Sequence, residues 1–266
     1  MPRQCTHPAV ASTIYGAATM DLGLKGRTAL VCGASSGLGL ATAEALAAEG
    51  ANVTMFARRR DVLEREADRI GALAVRGDVT LPSDLERAVS QTLEAFGGLD
   101  ILVWNSGGPP AGSGTDVTPD SLEQAFELML QPLVRLVHLC LPQLQQSPAG
   151  RILAITSIAA KEPTDHLALS NTLRPAVSGW LKTLASELGP SGITINCVAP
   201  GRIATDRLAY LYPEGPTPEL LADIPLRRWG EPRELGDVVC FLASPRAAYI
   251  SGQTIVVDGG AQRSLF

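Results

Sequence analysis

Three glycines interrupt an apolar run at Leu30-Val31-Cys32-Gly33-Ala34-Ser35-Ser36-Gly37-Leu38-Gly39-Leu40-Ala41, after which apolar residues resume at helical spacing. A strand, a glycine turn and a helix in that order make an anion cradle. Gly33 takes the tight turn, Gly37 lets the backbone approach a pyrophosphate, and Gly39 lets the helix lie close on the sheet. Gly33, Ser35, Ser36, Gly37, Leu38 and Gly39 are therefore expected to hold a dinucleotide. About twenty positions on, dinucleotide folds carry an acidic residue for the ribose 2′-hydroxyl. This chain has Ala57 and Arg58 there. A guanidinium pairs with a 2′-phosphate that a carboxylate would repel, so NADP(H) is favoured over NAD(H). The other reading makes Arg58, Arg59 and Arg60 only the solvated entrance of a helix.

The elements that must position this turn follow from periodicity. Strands are expected at 28–32, 52–56, 73–75, 99–104, 151–156, 193–198 and 254–257, alternating with helices. Among these helices, 38–49 stops at Gly50, Ser83-Asp84-Leu85-Glu86 reads as a capping box opening a helix to about Phe96, and 119–144 contains Pro132, which should kink it. Two more helices are expected at 169–188 and 232–242. Uninterrupted apolar strands suit a parallel sheet covered on both faces. The expectation is an α/β, three-layer doubly wound Rossmann fold around a parallel seven-stranded sheet. Small residues at strand ends belong beside the dinucleotide: Asn105 and Gly107 in Asn105-Ser106-Gly107-Gly108, and Asp78-Val79 at the sheet edge, where an adenine fits. The stretch 206–225, rich in Pro, Leu and Tyr, breaks the alternation and reads as a substrate lid with an apolar preference through Leu208, Tyr210, Leu211 and Tyr212.

Composition bounds the rest. The 266 residues are 45% hydrophobic and 18% charged, with net charge -5. No apolar run approaches the ~20 residues of a bilayer helix, and basic residues are dispersed outside Arg58–Arg60. A soluble cytoplasmic protein without nucleic-acid or membrane partners is expected, as one domain over 20–266. Residues 1–19 read as an extension or a mis-assigned start before Met20. Cys5, Cys32, Cys140, Cys197 and Cys240 lack Cys-x-x-Cys spacing and read as buried thiols of a reducing compartment. His7, His138 and His166 lie far apart, so no metal site is expected.

From Leu22 to Gly260 the chain resembles the short-chain dehydrogenase/reductase family. Asn105-Ser106-Gly107-Gly108 is similar to that family's Asn-Asn-Ala-Gly turn. Pro200-Gly201-Arg202-Ile203-Ala204-Thr205 resembles the segment that holds the nicotinamide carboxamide, and Ser251-Gly252-Gln253 through Asp258-Gly259-Gly260 resembles the C-terminal signature. Pro225 to Gly230 and the closing strand are most similar to 3-oxoacyl-(acyl-carrier-protein) reductases. The resemblance implies an NADP(H)-dependent oxidoreductase of a carbonyl or alcohol, with Pro200, Gly201, Ile203 and Thr205 at the cofactor. The resemblance implies a small-molecule or acyl-thioester substrate. It also implies a homotetramer whose seam would use Leu136, Leu139, Trp180 and Leu184.

The resemblance breaks at the chemistry. Relatives carry an Asn, Ser, Tyr, Lys tetrad, with the tyrosine about thirteen residues after the serine and the lysine about four further, on one helix face. Ser157 matches the serine, but Ser170 and Arg174 stand at the tyrosine and lysine positions, and Met129 at the asparagine. A serine hydroxyl is a far weaker acid than a phenol, and arginine stays protonated. Arg174 remains suited to a ribose hydroxyl, or else Ser170 and Arg174 only pack and cap a helix. Two other groups in the following loop can move a proton: Lys161 and His166, the latter with an ordinary pKa of about 6.5. Two functions stay open, a reductase with a rearranged site and a non-catalytic dinucleotide-binding sensor or partner subunit.

Overall fold

The structure is a computed structural model that describes residues 20–265. The expected extension over 1–19, with Cys5 and His7, lies outside them. Seven strands, β1 (Thr28–Cys32), β2 (Asn52–Ala57), β3 (Leu73–Arg76), β4 (Ile101–Trp104), β5 (Arg151–Ile155), β6 (Thr194–Pro200) and β7 (Thr254–Val257), form one sheet in the order β3-β2-β1-β4-β5-β6-β7. All neighbours are parallel; Val31 pairs with Met55 on one side and Val103 on the other.

Nine helices connect them in the described chain: α1 (Gly37–Ala48), α2 (Arg60–Ile70), α3 (Pro82–Phe96), α4 (Pro119–Met129), α5 (Gln131–Gln146), α6 (Ala168–Leu188), α7 (Asp206–Leu211), α8 (Pro218–Ala222) and α9 (Pro232–Ala243). Alternate strand residues feed opposite cores, as the pleat requires. Ala29, Val31, Val53 and Met55 pack with Leu46 of α1, Leu63 of α2 and Val239 of α9. Leu30, Cys32, Phe56 and Trp104 pack with Leu85 of α3, Leu136 of α5 and Leu181 of α6. Each large side chain buried in this way contributes roughly 1.5–3 kcal/mol. The three-layer α/β sandwich is thus present with seven parallel strands.

Three local expectations change. The helix expected over 119–144 is two helices, because Pro132 has no N–H for the carbonyl of Leu128 and its ring opposes that turn. The break falls at Leu130 (φ -111°, ψ -52°), and Pro132 opens α5 rather than bending a continuous rod. Pro119–Gln146 together is long and apolar enough to cross a membrane, yet Leu133, Leu136, Val137, Cys140 and Leu144 of α5 are buried against the sheet. The capping box at Ser83 does not form: Pro82, with its preset φ, starts α3 two residues earlier than that box would, and Leu81 stands at the cap without a side-chain bond. Asp84 instead accepts the Asp78 N–H at 2.8 Å. Finally, Leu136 is fully buried inside the chain and is not available to a seam, whereas Leu139, Trp180 and Leu184 are half-buried.

Candidate active site

Strand order reverses between β1 and β4, and both strands end at the same crevice. The Asn105 carboxamide after β4 donates to the Gly33 carbonyl after β1 at 3.4 Å. The glycines there have distinct duties. Gly33 and Gly37 have φ of +62° and +57°. A Cβ on Gly39 would lie 2.3 Å from the Gly33 oxygen, so only hydrogen fits where α1 crosses the turn. Gly39 itself is absent from the cavity wall; its part is packing. A Cβ on Gly201 would lie 2.5 Å from Asp258 Cβ, which lets the segment after β6 pass against the turn after β7.

A cavity of about 900 Å³ opens at these strand ends. At one end it is lined by Gly33, Ser35, Ser36, Gly37 and Leu38 of the turn, Arg58 and Arg59 after β2, and Asp78 and Val79 after β3. Asn105 and Gly107 flank its middle, with Pro200, Gly201, Ile203 and Thr205 opposite. Ser157, Ser170 and Arg174 line the far end beside Leu208, Leu211 and Tyr212. Tyr210, 70% exposed, does not line the cavity; its ring centroid lies 5.6 Å from the Arg207 guanidinium.

The cavity can hold a dinucleotide. Ser36 caps α1 without a side-chain bond to the helix, so the first-turn amides carry no side-chain cap. Its hydroxyl accepts from Arg59 Nη2 at 2.6 Å, and Ser35 accepts from the same nitrogen at 3.4 Å. Arg58, exposed like Arg59, sits 3.9 Å from the Asp78 carboxylate. Sequence reasoning singled out Arg58 and missed Arg59; Arg59 is the guanidinium anchored at the turn, and its place beside Arg58 at the end of β2 was the available signal.

The chemical end is built from β5 and α6. Ser157 follows β5, and its Oγ accepts the Ala159 N–H at 3.2 Å, which leaves its own proton to donate. Ser170 and Arg174 lie one turn apart on α6, 7% and 8% exposed. Arg174 Nη1 donates to the Ile155 carbonyl at 3.1 Å, while its Nε is buried without a partner. Burial, reinforced by Arg207, pushes this guanidinium down to about 10, so it is still a cation at neutral pH. Met129 is fully buried against Leu169 and Leu173 and offers no polar group.

Neither Lys161 nor His166 lines the cavity that Ser157 lines. Asn171 holds Thr164 of their loop, its carboxamide accepting the Thr164 N–H at 3.0 Å and donating to the Thr164 carbonyl at 2.9 Å, and Glu162, Pro163, Thr164 and Leu167 line the main cavity while Lys161 and His166 do not. Lys161 is exposed and lines a separate cavity of about 400 Å³ with Ser178 and Lys182. His166 is exposed with φ +57°, its carbonyl accepting from Gly112 at 2.8 Å, and it lines neither cavity. Tyr212 brings a phenol to the main cavity from a position read beforehand only as apolar. Its ring lies 5.6 Å from the Arg202 guanidinium and 6.5 Å from Trp229.

The cysteines at 32, 140, 197 and 240 are buried and unpaired, and burial pushes Cys32 up to about 12 and Cys197 up to about 11. They are inert core groups rather than nucleophiles. Among the described residues no cluster of His, Cys, Asp or Glu suits a metal ion.

Residues 33–262 match the family model described as Enoyl-(Acyl carrier protein) reductase. The chain is 35% identical over 241 residues to 3-oxoacyl-[acyl-carrier-protein] reductase FabG of Vibrio cholerae, covering 90% of this chain and 98% of that protein. It is 33% identical over 249 residues to dehydrogenase/reductase SDR family member 4 of Oryctolagus cuniculus, covering 91% and 96%. Among solved structures, L-sorbose reductase from Gluconobacter frateurii, complexed with NADPH and L-sorbose, superposes with a TM-score of 0.85 at 32% identity, covering 92% of this chain and all of that one.

Proposed function

This chain belongs to the short-chain dehydrogenase/reductase family, and from that premise we propose that it is an NADP(H)-dependent oxidoreductase of a carbonyl or alcohol, with a rearranged active site. The observation that carries the cofactor preference is Arg59, bonded to Ser36 at the glycine turn, with Arg58 beside it and no acidic side chain at the end of β2. Two guanidiniums there match a 2′-phosphate in charge and hydrogen-bond geometry. That the L-sorbose reductase was solved with NADPH agrees with this reading.

When bound, the nicotinamide supplies or accepts the hydride. The chain's own residues manage charge and proton. Ser157 donates its free O–H to the carbonyl oxygen, and the buried cation of Arg174 stabilises the negative charge gathering there. With Lys161 and His166 outside the cavity, the proton comes from a water held between the hydroxyls of Ser157 and Ser170. We propose an acyl thioester or small carbonyl compound as substrate. A screen of NADPH oxidation over 3-oxoacyl thioesters, quinones and small ketones, run beside a binding titration, tests the whole reading. NADPH binding with no turnover on any of them would return the non-catalytic alternative.

We also propose a homotetramer. Its support is apolar surface on the long helices: Leu122 and Phe126 of α4 are 40% and 42% exposed, and Leu139, Trp180 and Leu184 are half-buried. Light scattering that gives a monomer at micromolar concentration refutes it.

A further inference from the structure

Two cations at the chemical end of the cavity have no counter-charge. Arg174 is 8% exposed, uses one donor on the Ile155 carbonyl and keeps its Nε unpartnered. Arg207, half-buried on α7, reaches back across the cavity mouth and donates from Nη2 to the Pro109 carbonyl at 2.7 Å. Its guanidinium lies so close over the turn after β4 that a Cβ on Gly108 would meet it at 3.3 Å. Neither arginine has an ion-pair partner among the described residues. The acids at this end are otherwise placed: Asp223 pairs with Arg202 at 3.7 Å, Glu162 accepts the Arg263 N–H at 3.2 Å, and Asp206 is exposed on the first turn of α7. The two guanidiniums are near enough to depress the pKa of Arg174, and burial lowers that of Arg207.

A buried charge without a partner costs several kcal/mol, and a fold keeps one where a ligand completes it. Ribose hydroxyls can accept from Arg174 but bring no charge. The dinucleotide's phosphates belong at the turn near Ser36, held by other donors.

We propose that Arg207 and Arg174 form a carboxylate subsite, and that the substrate is an oxo acid or the corresponding hydroxy acid rather than a neutral ketone. The inference rests on the dinucleotide reading of the same cavity. The planar forks of two guanidiniums match a carboxylate through paired hydrogen bonds. Arg207 is the specificity element, because the lid carries it and it touches neither the glycine turn nor Ser157. The carboxylate would bridge α7 of the lid to α6.

The test pairs pyruvate, acetoacetate and levulinate with their methyl esters, as NADPH-oxidation substrates and in calorimetric titration of the NADP(H)-loaded protein. The acid of at least one pair is expected to exceed its ester by about tenfold or more in kcat/KM or affinity. Arg207→Gln should lower the acid by about tenfold, so that acid and ester converge, while Arg207→Lys, which keeps the charge but not the planar fork, should retain only part of the preference. NADPH affinity, measured on each variant, should not change, which reports an intact fold. Esters matching or exceeding acids in every pair, an acid preference that survives Arg207→Gln, or no acid binding at all would overturn the subsite. Failure of NADPH to bind the unmodified protein would instead sink the dinucleotide reading, and that arm is read separately.

Discussion

Arg59 Nη2 lies 2.6 Å from the Ser36 hydroxyl, joining the end of the second strand to the cap of the first helix. The contact fixes a cation where a dinucleotide's adenosine ribose would meet its pyrophosphate. NADPH is accordingly expected to bind at least tenfold more tightly than NADH, a difference of about 1.4 kcal/mol. Arg59→Ala should remove most of it, and Arg58→Asp with Arg59→Ala should invert it. Equal affinities in a fluorescence titration of the unmodified protein would contradict this.

Arg174→Met removes the buried cation while keeping its aliphatic bulk. Carbonyl reduction should fall by ~10²-fold or more in kcat, the scale on which a lost charge-stabilising donor acts. Affinity for NADPH should fall much less. Steady-state kinetics beside titration separates the two, and an equal loss in both would make Arg174 only a binding residue.

Lys161→Ala and His166→Ala should each leave kcat within about twofold, because neither side chain lines the cavity of Ser157. A pH profile that shifts in either variant would return that group to the proton path.

Gly39→Ala places a methyl 2.3 Å from the Gly33 carbonyl oxygen. Backbone on both sides prevents relief by a rotamer change, so a loss of about 2–4 kcal/mol is expected, seen as a lowered urea midpoint. Saturating NADPH should recover little of it, since the same clash spoils the turn.

Asp84 accepts the Asp78 N–H at 2.8 Å and pairs with Arg87 at 2.8 Å, and the backbone bond is the main cause holding its carboxyl below the usual carboxylate range. A carboxyl whose folded pKa is depressed contributes stability above its unfolded pKa of about 3.9 and loses it as pH falls through the lower folded value. Asp84→Asn should therefore be less stable at neutral pH and show a shallower loss on acidification below about pH 4. Urea midpoints against pH measure this, and parallel profiles would refute it.

The sheet was legible in the sequence because its strands are short, mostly apolar runs, four of them followed at once by Gly or Asn, and a parallel sheet covered on both faces leaves little polar alternation to confuse it. The glycine turn was legible for a related reason: Gly33, Gly37 and Gly39 are demanded by backbone geometry. What was not legible depended on direction. Arg58 and Arg59 are adjacent and alike, and only the path of the chain out of β2 decides that Arg59 turns to Ser36. Lys161 lies four positions from Ser157, yet it ends the short helical turn that Ser157 caps and lines the other cavity. Arg207 showed no signal, because its meaning comes from Pro109 and Gly108, remote in sequence. Pro132 was read correctly as a disturbance, but whether a proline kinks or divides a helix depends on how the two halves pack.

The strand order also dictates how the chain can acquire its shape. Val31 in the first strand must find Val103 seventy-two residues later, and no tight hairpin brings them together, since parallel neighbours need a crossover. Contacts of such long sequence separation slow folding. During synthesis the first four strands can assemble while β4 still presents an open edge that only β5 will cover. The nascent half-sheet is thus open to aggregation at that edge, and slowing translation just after β4 should lower the yield of soluble protein.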